Sequence, residues 1–540
     1  MSRSDDHTSP LTGGSSGPDH TVDVRAGLDG AGPIGLPATA DRDIGFARFF
    51  LIPAALFLLI QFALRMTYPF CVEPDDADLV IFSQHLALGY GEQAPLYSWL
   101  CEGLFHILGT KVVALAVMRT AVLLAQCCFL WLNARLLCAD RRLALFGAFA
   151  VLLVPNVAWH GITYLTHTNL LVAACLAALY SFLRIIRDGG VRHYLAFGAS
   201  CAAGMLSKYN FVWFVAALIL GALTVDGARR RIVHRNLIFA VLVAGLLVLP
   251  HAVWVVEHLG GLGELLFDKV NRWDFVSMGY FARIRRGAWD AATSVILVAL
   301  PIAIVVGMFF RQPQGIPRGG RGEFRSVAIQ VLGRFFLIAF GLIVAQVLIF
   351  GVSRFHERWL QPYAAVLPLW LLARIETAWV TEGRARWFGG LLGFMACGYI
   401  VARAAQVFIF ADEFPEGPYP LRTNYDQFAR EIAVEAGQAP TIVTRERQIG
   451  GNLLLKLPQC RVICTSHKLY DVPATDGPLV IAWHSWQTKG SPIPPSDLML
   501  EIQRRCKLPP MPPRRVHQTE IAPPTVSRPS SVVMWTVLRK

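Results

Sequence analysis

Residues 73–99 read EPDDADLVIFSQHLALGYGEQAPLYSW and follow directly after the first long apolar run of the chain. Four carboxylates lie within the first six residues of this segment, namely Glu73, Asp75, Asp76 and Asp78. Glycines, a proline and aromatic residues follow them, as is typical of a shaped loop at a membrane interface. Because carboxylates on a loop are more often solvated surface than a site, the rest of the chain must decide between these two interpretations.

The composition of the 540-residue chain indicates a membrane protein. Hydrophobic residues make up 54% of the sequence and the mean hydropathy is +0.46, whereas soluble globular proteins contain roughly 45–50% apolar residues. The formal net charge of +13 is divided into short basic clusters between apolar runs, a pattern that orients polytopic membrane proteins. This distribution excludes a nucleic-acid-binding surface as the origin of the charge.

About eleven apolar runs are long enough to span a bilayer core, or nearly so. They predict an α-helical polytopic membrane protein with about 11–13 transmembrane helices, while residues 95–108 are predicted to form an amphipathic helix on the membrane surface. The runs cover residues 46–67, 111–133, 143–160, 167–187, 194–207, 209–224, 236–256, 291–310, 333–351, 359–376 and 387–410.

The basic clusters all fall on one side of the predicted helices, and the positive-inside rule makes that side cytoplasmic. The clusters contain Arg141 and Arg142; Arg184, Arg187 and Arg192; Arg229, Arg230, Arg231 and Arg235; Arg311, Arg318, Arg321 and Arg325; Arg384 and Arg386. Residues 73–99, the loop 257–290 and the tail after Ala411 then face the periplasm. We therefore predict a multi-pass inner-membrane protein with a cytoplasmic N-terminus.

The two ends of the chain differ in composition from its apolar middle. Residues 1–44 are rich in Gly, Ser, Asp and Pro, which predicts a disordered cytoplasmic tail before a transmembrane domain over 45–410. Beyond 411, the β-rich runs TIVT, RVICTS, PLVIAWHS and VVMWTVLR accompany the helical stretch YDQFAREIAVEA. These mixed signals predict a small periplasmic α/β domain over 411–540.

The eleven cysteines show no spacing typical of a metal site. Cys71 and Cys101 flank the first loop, and Cys460, Cys464 and Cys506 lie in the polar C-terminal region. Either group could hold a disulfide on an oxidising side of the membrane. The sequence leaves the pairing open.

The segment DDADLVIFSQHLALGYGEQAPLYSWL resembles the first external loop of the GT-C glycosyltransferases of the protein O-mannosyltransferase and lipid A aminoarabinose transferase group. The pattern of that group is an acidic pair, then Ser-Gln-His-Leu, Gly-Tyr and a Pro-Leu-x-x-Trp ending, and Asp75 and Asp76 fall on its acidic pair. GMLSKYNFVWF and FHERWLQPYAAVLP resemble two later segments and place Lys208 and Arg358 on basic positions. The resemblance covers residues 46–410.

This resemblance implies an enzyme that passes a sugar from a polyprenyl-phosphate carrier to an acceptor on the external face, with inversion. A hydroxyl acceptor needs a positioned carboxylate as general base, and Asp75, together with Asp76, is the predicted catalytic group. Lys208 and Arg358 are predicted to hold the phosphate leaving group. A divalent metal on Asp75 and Asp76 is the alternative, and we favour a metal-free site without a cofactor.

Many members of the group carry a second acidic residue in a later external loop, where this chain has YLTHTNLLVAACLAALYSFLR. His167 and Asn169 stand at that position and are predicted to contact substrate, although an interfacial histidine without chemistry is the alternative. The departure weakens the transfer of sugar specificity, including that for mannose, from better-known members to this chain. The other predicted substrate contacts are His85, Glu92, Gln93, His356 and Glu357, and the loop 257–290 is predicted to bring Lys269, Arg272 and Arg283 near the donor headgroup.

The sequence therefore favours a membrane glycosyltransferase that acts on a glycolipid, a polysaccharide or a protein, with lipopolysaccharide core or lipid A ahead of protein. A transporter or flippase of lipid-linked saccharides is the alternative, and it is disfavoured because the apolar runs look free of the midplane charges that transporters carry. A third hypothesis, suggested by the altered THTN segment, is an inactive relative that binds lipid-linked sugar as a scaffold. Membrane lipids are partners in every case.

Overall fold

The structure is a computed structural model of the chain. It describes residues 38–67, 71–109, 112–163, 165–270, 279–310, 322–410, 423–473, 477–506, 515–522 and 531–538. Residues 1–49 and 50–540 form two compact units, and the described part of the first unit is the beginning of the helix Ala38–Met66. Most of the predicted disordered tail lies outside the described residues, but residues 38–44 belong to this helix and not to a disordered segment.

Six helices in the described part of the chain are long and apolar enough to cross a membrane. One of them, His167–Asp188, has 78% of its apolar window buried, against 17–39% for the other five. It is therefore the central helix, and its neighbours leave one face for lipid. The six are α4 Val112–Leu137, α7 His167–Asp188, α11 Leu237–Glu257, α13 Tyr280–Phe310, α14 Glu323–Phe350 and α16 Glu382–Phe408.

The central helix α7 ends at Asp188, directly before a pair of glycines. Gly189 follows it in the left-handed conformation, with φ of 67°, which a glycine adopts without steric cost. The next helix, α8 Val191–Ser207, then runs back beside α7. Close approach between helices is visible at Gly198 of α8, where a Cβ atom would lie 2.3 Å from the carbonyl oxygen of Ala240. Small residues thus set the spacing of the bundle.

The remaining predicted runs also form helices, though several are short or broken. Residues 143–160 divide at Pro155, because proline has no N–H to donate to the preceding turn. Two consecutive helices, α9 and α10, bend by 118° and could count as one further span. These helices are α1 Ala38–Met66, α5 Arg141–Phe149, α6 Pro155–Thr163, α8 Val191–Ser207, α9 Phe211–Leu223, α10 Asp226–Ile232 and α15 Gln361–Ala373, with a 3₁₀ turn at Ala150–Leu153.

The first loop and the loop 257–290 contribute further helices outside the predicted spans. The predicted interfacial helix forms as α3, Leu96–Leu108. Ahead of it, the carboxylate-rich segment forms α2, Pro74–Phe82. In the loop 257–290, α12 covers Leu259–Val270, residues 271–278 lie outside the described part, and the following residues already belong to α13.

The C-terminal region contains the predicted sheet. It has five strands in the order β2-β1-β3-β5-β4. Strands β2, β1 and β3 are parallel, and β5 is antiparallel to both of its neighbours, β3 and β4. Ile442 on β1 pairs with Val462 on one side and Val480 on the other. The elements are α17 Tyr425–Ala436, β1 Thr441–Thr444, α18 Arg447–Lys456, β2 Arg461–Cys464, β3 Leu479–His484, α19 Ser496–Cys506, β4 His517–Ala522 and β5 Ser531–Leu538.

The first loop is built into this sheet domain. Asn452 on α18 accepts a hydrogen bond from the backbone N–H of Val72 (2.8 Å) and donates one to the carbonyl of Val72 (3.0 Å). The side chain of Gln84 exchanges the same pair of bonds with the backbone of Val462 at 2.8 and 3.0 Å. Both ends of α2 are therefore fixed to the C-terminal domain, and α2 shares a continuous hydrophobic cluster with the sheet.

All ten cysteines described by the structure are free thiols, and Cys71, Cys101, Cys460 and Cys464 are buried. The side chain of Cys506 lies outside the described residues. Burial raises the pKa of the Cys71 thiol to about 11 and that of Cys464 to about 12. These thiols remain protonated at neutral pH and behave as small hydrophobic residues.

Candidate functional site

Helix α2 presents its carboxylates in different directions. Pro74 occupies its first position and Asp75 and Asp76 its first turn, an arrangement favoured by the fixed φ of proline and by the positive end of the helix dipole. The helix is buried on its other faces, with Ala77, Val80 and Ile81 fully inaccessible. Each of the three aspartates therefore has its own environment.

Asp76 forms a buried ion pair with Arg119. Both of its carboxylate oxygens accept hydrogen bonds from Nη2 of Arg119 on α4, at 3.0 and 3.1 Å. The side chains of Asp76 and Arg119 are 4% and 8% exposed, and Arg119 also donates to the carbonyl of Thr163. Asp76 thus joins α2 to α4 and, through Arg119, to α6. In this position the predicted catalytic residue Asp76 orients the neighbouring Asp75.

Asp78 faces the C-terminal domain. Nη1 of Arg447 donates a hydrogen bond to one of its oxygens at 2.7 Å, and Nε2 of His467 lies 2.8 Å from the other. Burial alone would raise the pKa of this carboxyl, but His467 and Arg447 together hold it below its ordinary value. Asp78 is therefore a fixed negative charge that docks the sheet domain.

Asp75 differs from both neighbours because its carboxylate keeps an open face. Its side chain is 38% exposed, and the nearest cationic atom, Nη1 of Arg447, lies 3.8 Å from Oδ1. Desolvation raises the pKa of Asp75, the charges of Asp78 and Asp76 raise it further, and Arg447 and Arg358 oppose the shift. An accessible carboxylate with an increased proton affinity is suited to general-base chemistry.

The two predicted phosphate-binding cations approach from different helices. Arg358 lies in the 3₁₀ turn Glu357–Leu360 and acts electrostatically on Asp75. Its Nε is buried and has no hydrogen-bond partner among the residues that the structure describes. Lys208 follows α8 in an extended conformation, and its Nζ donates a hydrogen bond to the hydroxyl of Thr168 at 2.8 Å. Arg358 is thus available to an anion beside Asp75.

The start of α7 lies next to this site. The ring of His167, which is buried, lies 5.4 Å from the ring of Tyr97, and the charges of both Asp76 and Asp75 contribute to the raised pKa of Tyr97, whose main cause is desolvation. Asn169 is placed differently. Its amide donates to the carbonyls of Gly161 (2.8 Å) and Leu165 (2.6 Å), so it fixes the turn before α7, and its contact with a substrate stays a prediction.

The other predicted contacts are dispersed. His85 stacks on Tyr470 of the sheet domain, with ring centroids 4.4 Å apart, and His356 packs on Trp359. Glu357 begins the turn that carries Arg358. Glu92 and Gln93 line a cavity against the C-terminal domain.

Of the loop residues predicted near the donor headgroup, only Arg283 has a described side chain. Its guanidinium lies 6.0 Å from the ring of Tyr280. The side chain of Lys269 and the whole of Arg272 lie outside the described residues.

Three basic side chains of this site were not predicted from the sequence, namely Arg119, Arg447 and His467. The first was detectable, because an arginine inside the apolar run 111–133 is a functional candidate by default. The description of the apolar runs as free of charge is therefore wrong here, and again at Arg403, which is buried within α16. No local signal marks Arg447 or His467, which are 369 and 389 residues away from Asp78 in sequence.

No group of three or more His, Cys, Asp or Glu side chains that could hold a metal ion occurs among the described residues. Of the two carboxylates predicted as metal ligands, Asp76 is already bound to Arg119 in the structure. The described site therefore offers cations, and not a carboxylate cage, to a phosphate.

We expect Arg447→Gln to move the acid limb of the pH–activity profile to higher pH. As the predicted general base, Asp75 acts in its deprotonated form, and its pKa is above the ordinary value, so we expect activity to fall as the pH drops towards that raised pKa. Arg447 holds the pKa of Asp75 down, and removing its charge lets the pKa rise. The pH dependence of kcat measures the shift, and Arg461→Gln, at an exposed arginine of β2, is the matched control. An unchanged limb in Arg447→Gln would show that another group titrates.

The sequence of this chain is similar to those of known proteins. The family model "Dolichyl-phosphate-mannose-protein mannosyltransferase" matches residues 92–254. The lipopolysaccharide core galacturonosyltransferase RgtA of Rhizobium johnstonii is 30% identical over 456 residues, which cover 81% of this chain and 87% of that protein. RgtB of the same organism, which bears the same description, is 27% identical over 457 residues, covering 84% of this chain and 90% of that protein.

A solved structure shares the fold. The crystal structure of ArnT from Cupriavidus metallidurans bound to undecaprenyl phosphate matches with a TM-score of 0.52 and 15% sequence identity, over 92% of this chain and 98% of that chain. At this identity the likeness concerns the fold alone. It includes the helical bundle and the small C-terminal sheet domain, and thereby confirms the predicted fold class.

Proposed function

This chain belongs to the GT-C superfamily of membrane glycosyltransferases, and from that premise we propose that it transfers galacturonic acid from a polyprenyl-phosphate carrier to the core of lipopolysaccharide. We place the reaction at the periplasmic face of the inner membrane. The single observation that carries the proposal is that Asp75, a half-exposed carboxylate, lies within the electrostatic influence of Arg358, a cation whose buried Nε has no partner among the described residues.

In the proposed reaction, Asp75 accepts the proton of an acceptor hydroxyl while the hydroxyl oxygen attacks the anomeric carbon of the donor sugar. The bond from that carbon to the phosphate oxygen breaks, and the polyprenyl phosphate leaves with its negative charge. Arg358 and Lys208 stabilise this charge, since preorganised cations act most strongly where charge develops. Attack opposite the leaving group inverts the anomeric configuration.

The choice of sugar and acceptor is supported by RgtA and RgtB, which are lipopolysaccharide core galacturonosyltransferases and align with most of this chain. The orientation is supported by the arginines at the ends of α7 and α10, such as Arg187 and Arg230. These arginines lie at the side that the positive-inside rule makes cytoplasmic, and α2 lies at the other side of the predicted topology.

The test is mass spectrometry of envelope glycolipids from cells that lack this protein, compared with cells rescued by the wild-type chain. We expect one hexuronic acid residue to disappear from the lipopolysaccharide core and to return on rescue. Purified protein incubated with donor and acceptor should release free polyprenyl phosphate. Movement of the donor across a bilayer without that release would instead support the flippase alternative.

We expect Arg358→Gln to raise KM for the donor roughly ten- to a hundredfold, the effect of losing a charged hydrogen bond. Glutamine keeps a polar N–H donor, but it is shorter than arginine and uncharged, so it cannot balance a phosphate charge. Steady-state transfer kinetics with varied donor concentration provide the measurement. Arg374→Gln, a change in an exposed arginine whose guanidinium lies over the ring of Trp370, is the control and should leave KM unchanged.

A further inference from the structure

A polar cavity of about 340 Å³ lies between the first loop and the C-terminal domain. Its volume is at the lower end of the range for small-ligand sites. Phe82 and Tyr90, whose ring centroids are 4.7 Å apart, form an apolar wall. Apart from Leu265, the other side chains that line it are polar or charged, and they include Gln93, Arg447 and Lys468. A saccharide combines the same two kinds of surface.

Two observations indicate that the cavity is built for a ligand. The Oε1 atom of Gln93 is buried without a hydrogen-bond partner among the described residues, and an unpaired buried acceptor is costly unless a donor such as a sugar hydroxyl completes it. Lys468 lines the same cavity and makes no ion pair within the described part of the chain. The site therefore offers an unused acceptor and an uncompensated positive charge.

The carboxylates of the cavity do not cancel this charge. Asp78 is already paired with Arg447 and His467 at 2.7 and 2.8 Å. Glu446 accepts a hydrogen bond from Gln487 at 2.6 Å, and burial raises its pKa above the ordinary glutamate value. Glu92 lies near Arg447, whose cationic form it stabilises.

Arg447 connects the cavity to the reaction site. The same nitrogen, Nη1, lies 2.7 Å from Asp78 and 3.8 Å from Asp75. A ligand that contacts the guanidinium from the cavity is consequently a neighbour of the carboxylate proposed as the base. The cavity is thus placed to hold a sugar whose reacting atom lies at Asp75.

We propose that this cavity is a specificity site for an acidic saccharide, in which Lys468 and Arg447 bind the sugar carboxylate and Gln93 accepts a hydrogen bond from a sugar hydroxyl. The inference rests on the proposed function and deepens it. The carboxylate could belong to the uronic acid of the donor or to an acidic sugar of the acceptor, and the chemistry of recognition is the same for both.

The experiment uses the full chain in lipid nanodiscs and two matched pairs of substrates. One pair is polyprenyl-phosphate galacturonate and polyprenyl-phosphate galactose with the same acceptor. The other is lipopolysaccharide core with its carboxyl groups intact and the same core with its carboxyl groups chemically reduced to alcohols. The measured quantity is the ratio of kcat/KM for the acidic and the neutral member of each pair.

We expect the wild type to favour the acidic member of one pair, and Lys468→Gln to lower that ratio about tenfold, as for a lost charged hydrogen bond. Lys468→Glu should lower it further. Lys489→Gln, the same change at an exposed lysine of the same domain that does not line the cavity, should leave the ratio unchanged. Lys468 is exposed, so these variants test binding without threatening folding.

A changed donor ratio would assign the cavity to the donor sugar, and a changed acceptor ratio would assign it to the acceptor. If Lys468→Gln and Lys468→Glu leave both ratios at the wild-type value, the specificity site is wrong while the transferase remains. If the wild type transfers no sugar from any donor, the proposed function itself fails.

Discussion

Asp75→Asn should lower the rate of sugar transfer by about a hundred- to ten-thousandfold, the range attributed to a positioned general base. Asparagine has nearly the same shape but cannot accept the proton of the acceptor hydroxyl. Because Asp75 is half-exposed and lies 3.8 Å from its nearest cation, the change removes chemistry and leaves the fold intact. Single-turnover transfer from labelled donor measures the rate, and donor binding, measured separately, should be retained.

The matched control is Asp471→Asn, the same substitution at a carboxylate of the C-terminal domain that is 81% exposed. It should transfer sugar at the wild-type rate. In cells, the glycolipid modification lost on deletion should return with Asp471→Asn and not with Asp75→Asn. Full activity of Asp75→Asn would show that the base is another group and would remove Asp75 from the mechanism.

Arg119→Met should destabilise the protein by about 3–5 kcal/mol, the cost of leaving one member of a buried ion pair alone. Asp76 would lose its partner in a site where its side chain is 4% exposed, and the contact of Arg119 with Thr163 would be lost as well. The unfolding midpoint of purified protein in detergent reports the loss. Transfer should also fall, because Asp76 positions the helix that carries Asp75.

Arg229→Met is the control for this prediction, since it breaks an ion pair with Asp226 whose side chains are 57% and 77% exposed. Exposed pairs contribute about 0–1 kcal/mol, so the midpoint should hardly move. The double variant Asp76→Leu and Arg119→Leu should recover part of the loss, because an apolar pair replaces the isolated charge. An equal loss in Arg119→Met and Arg229→Met would contradict the buried-pair account.

The helical bundle could be predicted because its signal is local. Runs such as 111–133 and 236–256 are long and continuously apolar, and the structure confirms helices there. The helix 425–436 was predicted from its own periodicity. Strand β4, His517–Ala522, was missed because HQTEIA has no apolar alternation, and its position depends on pairing with β5.

The candidate site was predictable only where a segment carries its own pattern. Asp75 and Arg358 were found through motifs in residues 73–99 and 355–368, and the membrane glycosyltransferase predicted from those motifs is confirmed by the relatives. The roles given to individual residues remain predictions. The different environments of Asp75 and Asp76 depend on Arg447 and Arg119. Contacts between such distant segments cannot be recognised from the sequence of either segment alone.

The position of β5 determines when the C-terminal sheet can be completed during synthesis. β5, Ser531–Leu538, lies between β3 and β4 in the sheet that supports Arg447, so the ribosome must add these residues before the sheet can close. A nascent chain that ends after β3 has all its spans in the membrane, while α2 still lacks a complete docking partner. Sheets with such long-range pairing form late and slowly. The chain therefore inserts its spans first and completes the sheet that supports Arg447, a neighbour of Asp75, last.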